Sequence, residues 1–292
     1  MLKVVCIPAF NEEKSISDVI KKSLSHVDEV IVCDDGSSDN TALNAKNAGA
    51  YVIYHKKNLG KGAALKSLFE YIQKIKADVI VTIDGDGQFL PEEIPKLMMP
   101  IIEKRSDIVI GYRFDDDKNM PQYRKFGNKM LDKMTNLASN LSFRDTQSGF
   151  RAYSKNAIDM ITFKTNGFGA DSEILINAST KGLKISEEKV TVLYHTGTKT
   201  STKNPISHST DVVGSVIEHI ALKHPLKFLG IPGIILLAIG IGYSLVVITI
   251  FNDIRYFSIP STLVALGSLF TGLMLLLMSV VLYGISRLNQ KT

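Results

Sequence analysis

The chain has 292 residues, a formal charge of +5 at pH 7, and hydrophobic residues as 45% of its composition. This length allows one or two domains with ordinary cores. The mild positive charge comes without a dense Lys/Arg run interleaved with aromatic residues, so we expect no nucleic-acid partner. Cys6 and Cys33 each lie at the end of an apolar run, and we expect both thiols to be reduced core residues.

The first 112 residues alternate strand and helix signals. Five apolar or β-branched runs predict strands, at residues 3–7, 29–33, 50–54, 78–83 and 107–112. Four segments with helical spacing lie between them, at residues 12–25, 41–48, 62–76 and 91–103. Strands that alternate with helices of this length predict βαβ units, and therefore an α/β fold with a mostly parallel sheet.

The alternation ends after residue 112. Helical spacing of apolar residues predicts helices at 121–141 and 171–181, and a strand is expected at 189–193. Residues 206–226 hold an amphipathic pattern just before a long apolar run, which predicts a helix in the membrane interface. Ordinary packing within the domain is the alternative. Basic residues near this segment would meet anionic lipid headgroups.

Two long stretches near the C-terminus carry no charged residue. We expect membrane spans at about residues 228–251 and 259–285, since 24 helical residues reach about 36 Å and a hydrocarbon core is about 30 Å thick. A buried helical hairpin of a soluble core is the alternative. Lys223 and Lys227 precede the first span and Arg287 follows the second, which predicts both termini and the soluble domain on the cytoplasmic side.

The predicted organisation is therefore a cytoplasmic domain at 1–205, a juxtamembrane helix at 206–226 and a transmembrane hairpin at 227–292. The protein would be an integral membrane protein with two spans. Any homo-oligomer would form through the hairpin.

Two carboxylates follow the fourth predicted strand. Asp84 and Asp86 come directly after the apolar run 79–83, and Gln88 follows two residues later. Carboxylate and amide oxygens suit Mg²⁺ or Mn²⁺, which keep positions open for substrate phosphates. An open α/β sheet binds its ligand outside the carboxyl ends of its strands. The pattern predicts a divalent-cation site, with a solvated acidic turn as the alternative.

Further polar groups lie where they would face the same rim of the sheet. Asp34 and Asp35 end the second strand and can accept hydrogen bonds from a base or ribose. Lys61 enters the third helix, where free backbone N–H groups favour a phosphate. The segment is not the Gly-x-x-x-x-Gly-Lys-Ser/Thr loop, so a P-loop ATPase is disfavoured.

These motifs resemble the nucleotide-sugar half of the family 2 glycosyltransferases, which have the Rossmann-like GT-A fold. The resemblance is carried by Pro8-Ala9-Phe10-Asn11-Glu12, Asp34-Asp35-Gly36-Ser37, Gly60-Lys61-Gly62 and Asp84-Gly85-Asp86-Gly87-Gln88. Two later motifs resemble the polyprenyl-phosphate glycosyltransferases, the dolichyl-phosphate mannose and glucose synthases: Gly111-Tyr112-Arg113 and Asp145-Thr146-Gln147-Ser148-Gly149-Phe150-Arg151. The match covers about residues 3–200, and the C-terminal hairpin fits the same group.

The resemblance implies a role for each matching residue. Residues on the nucleotide-sugar side would be Pro8, Ala9, Asn11, Glu12, Asp34, Asp35, Lys61, Asp84 and Gly85. The divalent cation, Mg²⁺ or Mn²⁺, would be held by Asp84, Asp86 and Gln88. Catalytic contacts to phosphate and metal would come from Asp86, Arg113 and Arg124. The sugar or acceptor side would include Asp145, Gln147, Ser148, Asp171, Glu173 and Lys199.

The implied reaction is an inverting, metal-dependent transfer of a hexose from GDP-mannose or UDP-glucose to a polyprenyl (dolichyl) phosphate at the cytoplasmic membrane face. A transferase of the same fold with a polysaccharide or another lipid acceptor is the alternative. Processive polysaccharide synthases carry a Gln-x-x-Arg-Trp motif, and this chain has no Trp. A non-catalytic membrane scaffold would be expected to have broken motifs, which this sequence does not show.

Overall fold

The structure is a computed structural model that describes residues 1–113, 132, 135, 136, 142–165, 167, 169–193 and 225–289. The chain divides into two compact units, Met1–Val216 and Ile217–Thr292. The predicted amphipathic helix at 206–226 lies almost entirely outside the described residues, as does most of the helix predicted at 121–141.

A seven-stranded sheet forms the centre of the first unit, in the order β3-β2-β1-β4-β6-β5-β7. The strands are β1 (Lys3–Ala9), β2 (Glu29–Asp34), β3 (Tyr51–Tyr54), β4 (Val79–Thr82), β5 (Ile108–Tyr112), β6 (Arg151–Ser154) and β7 (Ile185–Lys189). All pairings are parallel except those of β6, which runs antiparallel to both β4 and β5. The sheet is therefore the mostly parallel α/β sheet that the sequence predicts.

Six α-helices of the described residues pack on this sheet. They are α1 (Ile16–Ser23), α2 (Thr41–Asn47), α3 (Lys61–Ile75), α4 (Ile94–Ile102, after a 3-10 turn at Pro91–Glu93), α5 (Lys155–Met160) and α6 (Ala170–Thr180). Helices α1, α2 and α4 contribute to the apolar cluster on one face of the sheet, and α3, α5 and α6 to the cluster on the other. Alternate residues of β1 feed the two clusters, as the period of a strand requires. Cys6 and Cys33 are free and buried, as predicted.

The sequence analysis places one strand wrongly and misses another. The strand expected at 189–193 is wrong, because the residues that pair with β5 are Ile185–Lys189. Of the expected range, Lys189 ends this strand and Val192 forms an isolated bridge with Phe89. Strand β7 is a polar edge strand, so pairing rather than apolar content defines it. Strand β6 was not predicted, since four residues beginning with Arg151 give little apolar signal.

The chain direction places one group of loops together. Strands β1, β2 and β4 are parallel, so their carboxyl ends lie at one edge of the sheet. Because β6 is antiparallel and pairs Arg151 with Thr82, its amino end lies at that edge too. The loops after Ala9, Asp34 and Thr82 therefore meet the segment that precedes Arg151.

The second unit is a helical hairpin. A π-helical turn at Leu226–Gly230 leads into α7 (Ile231–Ile254), and α8 spans Ile259–Asn289. The helices approach closely where glycines meet: a Cβ at Gly272 would lie 2.8 Å from the Gly233 carbonyl oxygen. Two helical stretches, Leu226–Ile254 and Ile259–Ile285, are each long and apolar enough to cross a bilayer. In the most apolar 18-residue segment of each, only 11% and 17% is buried. Such low burial disfavours the core of a soluble protein.

We expect Gly36→Ala to destabilise the first unit more than Gly182→Ala. Both glycines have φ near +70°, at +72° and +71°, but a Cβ at Gly36 would lie 2.5 Å from the Lys57 carbonyl carbon, whereas no atom of the described residues lies within 4 Å of a Cβ at Gly182. The left-handed backbone alone should lower Tm by about 2–4 °C. Gly36→Ala should lower Tm at least about twice as far, measured by circular dichroism in detergent. Equal losses would contradict the close backbone contact.

Candidate functional site

Two half-buried carboxylates stand on the loop after β4. The Gln88 backbone N–H donates to Asp86 Oδ1 at 3.0 Å, and Gly87 has a φ of +73°, so the loop turns sharply back on Asp86. Burial, and then the negative charge of Asp84, raises the pKa of Asp86 to about 6. The loop therefore places two carboxylates close enough to repel each other.

Glu12 adds a third carboxylate from the loop after β1. The Glu12 backbone N–H donates to Thr41 Oγ1 at 2.7 Å, which fixes this loop against the start of α2. The Ser15 hydroxyl donates to the Gly85 carbonyl at 2.8 Å and so joins α1 to the Asp84–Asp86 loop. Burial, and then the charge of Asp86, raises the pKa of Glu12 to about 7. Three acids from two loops thus form a site of excess negative charge.

Lys61 is the cation that faces these acids. It begins α3, and its Nζ lies 2.8 Å from Asp84 Oδ1 and 3.3 Å from Asp171 Oδ2. Burial alone would lower the pKa of the Lys61 ammonium, but Asp171 and Asp84 raise it above its usual range. A Cβ at Gly149 would lie 2.6 Å from both Asp84 Oδ1 and Lys61 Nζ, so a larger residue there would displace this ion pair.

Arg151 supports Asp171 from inside the domain. Its side chain is fully buried, with Nη1 donating to the Asp171 carbonyl at 2.9 Å and Nη2 to the Thr146 carbonyl at 2.8 Å. Nη2 also lies 3.8 Å from Asp171 Oδ1. Arg151 and Gly149 were not among the predicted site residues. Both residues lie in the motif 145–151 that carries the family resemblance, which was the signal that could have found them.

The end of β2 is tied to the loop before α3 by Asp35. This buried carboxylate accepts hydrogen bonds from His55 Nδ1 at 2.7 Å and from the backbone N–H groups of Leu59 and Gly60 at 3.0 and 2.8 Å. Asp34 beside it is also buried, and its Oδ1 lies 3.4 Å from the Ser37 nitrogen. Asp35 therefore fixes the backbone of the loop that leads to Lys61.

The loop after β1 also joins the loop after β2. Asn11 has a φ of +58°, its N–H donates to Ser37 Oγ at 2.9 Å, and its Oδ1 accepts from the Ser38 N–H at 2.9 Å. Ala9 is buried and Pro8 is partly exposed next to this loop. These predicted nucleotide-side residues, with Glu12, Asp34 and Asp35, are thus brought together at one edge of the sheet.

The predicted acceptor-side residues fall into different environments. Arg113 forms a two-point pair with buried Asp145, from Nε to Oδ2 at 2.6 Å and from Nη2 to Oδ1 at 3.0 Å. Gln147 donates to Ser172 Oγ at 2.6 Å, and Ser148 is fully buried. The oxygens of Glu173 accept from the backbone N–H groups of residues 164 and 165. Arg124 and Lys199 lie outside the described residues.

The chain that follows β7 runs across the loop that bears Asp86. The Leu193 N–H donates to the Gln88 carbonyl at 2.9 Å. The Thr191 N–H donates to Glu93 Oε2 at 2.8 Å, and its hydroxyl to Glu93 Oε1 at 3.1 Å. A segment from the far end of the domain therefore holds one side of this loop.

The donor set fits a hard divalent cation that shares its shell with a substrate. Among the described residues, no group of three or more His, Cys, Asp or Glu side chains forms a metal cage. Mg²⁺ needs no such cage, because it is commonly held by one or two carboxylates plus substrate phosphates. Burial raises the pKa values of Asp86 and Glu12 most, and the neighbouring carboxylates raise them further; a bound cation would favour the charged form of both.

Comparison with known proteins identifies relatives of this chain. Residues 4–162, more than half the chain, match the model of glycosyl transferase family 2. The chain is 34% identical over 211 residues to the UDP-N-acetylglucosamine–dolichyl-phosphate N-acetylglucosaminyltransferase of Methanococcus voltae, covering 64% of this chain and 84% of that protein. It is 28% identical over 239 residues to the dolichyl-phosphate β-glucosyltransferase ALG5A of Trichomonas vaginalis, covering 73% and 72%.

The fold also matches a solved structure. Glucosyl-3-phosphoglycerate synthase of Mycobacterium tuberculosis, crystallised with Mn²⁺, UDP and phosphoglyceric acid, superposes with a TM-score of 0.58 at 22% identity, over 75% of this chain and 78% of that one. This likeness supports the GT-A fold of the first unit. The family match, the relatives and the fold agree, and the chain belongs to glycosyl transferase family 2 and is a glycosyltransferase.

Proposed function

We propose that this enzyme transfers a UDP-linked sugar, glucose or N-acetylglucosamine, to a polyprenyl (dolichyl) phosphate at the cytoplasmic membrane face. The observation that carries the proposal is the cluster of Glu12, Asp84 and Asp86 with Lys61 paired to Asp84, in a chain that continues into two candidate spans. The two named relatives act on dolichyl phosphate, which supports this acceptor. One of them uses UDP-N-acetylglucosamine, which favours a UDP donor over GDP-mannose.

On the donor side, Asp84 and Asp86, with the Gln88 side chain, would hold Mg²⁺ or Mn²⁺ against the diphosphate. When bound, the cation neutralises charge on the departing nucleoside diphosphate. Lys61 and Arg113 would add positive charge for the phosphates, because an ammonium and a guanidinium both suit phosphate oxygens. The nucleoside would lie on the edge formed by Pro8, Ala9, Asn11, Glu12, Asp34 and Asp35, with Gly85 allowing close approach.

On the acceptor side, no strong base is required. A phosphate monoester has a second pKa near 6, so a polyprenyl phosphate is already largely dianionic at pH 7. One of its oxygens would attack the anomeric carbon in line, the bond to the nucleotide diphosphate would break, and the configuration would invert. Asp171 is paired with Lys61 and Arg151, so we assign it to orienting side chains and sugar hydroxyls. Asp145, Gln147, Ser148, Glu173, Arg124 and Lys199 remain proposed acceptor-side or phosphate residues.

The proposed organisation is a cytoplasmic transferase domain at 1–205, an interfacial helix at 206–226 and a membrane hairpin at 227–292. The basic residues that flank the uncharged stretches support cytoplasmic termini. Tethering the domain beside the membrane would let it meet an acceptor whose phosphate lies at the lipid surface. Self-association through the hairpin stays a prediction.

We expect Asp86→Asn to abolish most sugar transfer. Purified full-length protein in detergent is offered dolichyl or undecaprenyl phosphate with labelled UDP- and GDP-sugars, with Mg²⁺ or Mn²⁺ and with a chelator. The variant should lose at least about a hundredfold in kcat, the scale for removing a group that stabilises developing charge. Asp159→Asn, exposed on α5, is the control. Undiminished turnover in Asp86→Asn, or label in protein or glycan instead of lipid, would contradict the proposal.

We expect the link between the spans to face away from the cytoplasm. Tyr256→Cys should react with a membrane-impermeant maleimide in intact cells, since Tyr256 is well exposed between α7 and α8. Lys46→Cys, exposed on α2, should react only after lysis. The native thiols are buried and give little background. The opposite labelling pattern would place the domain on the other side.

We expect Glu12→Gln to stabilise the chelated protein at pH 8. The pKa of Glu12 is raised from 4.5 to about 7, so between these values the folded state holds the proton more tightly than the unfolded chain. Rising pH therefore lowers the free energy of unfolding, and the penalty is complete above pH 7. After solvent screening we expect about 1 kcal/mol, or about 2–4 °C in Tm.

The comparison is made by thermal unfolding in a chelator at pH 5 and pH 8. The gain from Glu12→Gln should shrink at pH 5, where Glu12 of the folded protein is already mostly protonated. Glu70→Gln, exposed on α3, should change Tm little at either pH. A lower Tm for Glu12→Gln than for the wild type at pH 8 would show that the carboxylate is stabilising.

A further inference from the structure

We propose that Lys61 competes with the divalent cation for Asp84, so that the cation binds tightly only together with the nucleotide diphosphate. The inference rests on the proposed function, because it assumes that Asp84 is a ligand of Mg²⁺ or Mn²⁺. It adds an order of binding that the acids alone do not imply.

The contacts of Asp84 support the competition. Lys61 Nζ lies 2.8 Å from Asp84 Oδ1, with the Lys61 side chain 14% and the Asp84 side chain 28% exposed. A cation on the same carboxylate would bring two positive groups within a few ångströms in a site with little solvent between them. Coulomb repulsion at such distances is strong at the effective dielectric of a protein. The backbone of Gly149 lies beside the pair, where an added Cβ would lie 2.6 Å from both Asp84 Oδ1 and Lys61 Nζ.

Asp171 offers the Lys61 ammonium a second carboxylate partner. Asp171 Oδ2 lies 3.3 Å from Lys61 Nζ, and the Asp171 side chain is only 6% exposed. Arg151 contacts Asp171 at two points: Nη1 donates to the Asp171 carbonyl, and Nη2 lies near Asp171 Oδ1. Lys61 can therefore release Asp84 without losing all its negative partners, and its flexible stem permits a small shift. A diphosphate near the start of α3 would give the ammonium a further negative partner in place of Asp84.

The direct test measures Mn²⁺ binding to purified full-length protein by calorimetry, with and without UDP. Wild-type protein should bind Mn²⁺ weakly alone and much more tightly with UDP. Lys61→Met should bind Mn²⁺ alone about tenfold more tightly than the wild type, because the competing charge is gone. Its enhancement by UDP should shrink. Lys61→Arg keeps the charge and should resemble the wild type, and Lys66→Met, which removes a lysine remote from Asp84 on the same helix, is the matched control.

For a second variant we expect the opposite change in Mn²⁺ affinity. Asp171→Asn removes the alternative partner of Lys61, so the ammonium should hold Asp84 more firmly and Mn²⁺ alone should bind more weakly than to the wild type. Mn²⁺ affinity that is unchanged or lower in Lys61→Met overturns the inference. If that variant does not fold, unchanged or tighter binding in Asp171→Asn overturns it. Wild-type protein that binds no Mn²⁺ even with UDP would overturn the metal role in the proposed function as well.

Discussion

The site depends on a series of charged side chains, alternately positive and negative, that begins in the interior of the domain. Arg151, Asp171, Lys61 and Asp84 follow one another, and the first three are almost completely shielded from solvent. A buried charge costs several kcal/mol unless it is paired and hydrogen-bonded. Each member is thus held by its neighbours, and the four come from β6, α6, α3 and the loop after β4. The ion pairs join these elements and also fix the position of the Asp84 carboxylate.

The reversed strand is what makes this series possible. If β6 ran parallel to β4, the segment that precedes Arg151 would lie at the opposite edge of the sheet. Because β6 is antiparallel, Gly149 reaches the carboxyl end of β4, where the Thr82 hydroxyl donates to its carbonyl at 2.9 Å. A single change of direction in an otherwise parallel sheet thus brings Gly149 and its neighbours to the edge where the loop after β4 begins.

The sequence was informative where the signal is periodic. In the first 112 residues, five strands and four helices were predicted from apolar spacing, and chain direction then placed Glu12, Asp34 and Asp84 at one edge. Arg151 and His55 could not be assigned in this way, because their roles depend on partners 20 residues away in each case. Asp35 shows the same limit: its motif suggested ligand binding, whereas its bonds to Leu59 and Gly60 appear only once the loop is folded.

The contacts of Thr191 and Leu193 beside the Asp86 loop bear on where the catalytic unit ends. The family match stops at residue 162, yet Asp171 completes the ion pairs, and Thr191 and Leu193 hold the far side of the loop. A fragment cut at the end of the matched region would keep the cation-binding motif in its sequence but would lack the groups that fix its shape. The working unit therefore extends at least to residue 193, and the matched region by itself lacks contacts that hold the Asp84–Asp86 loop.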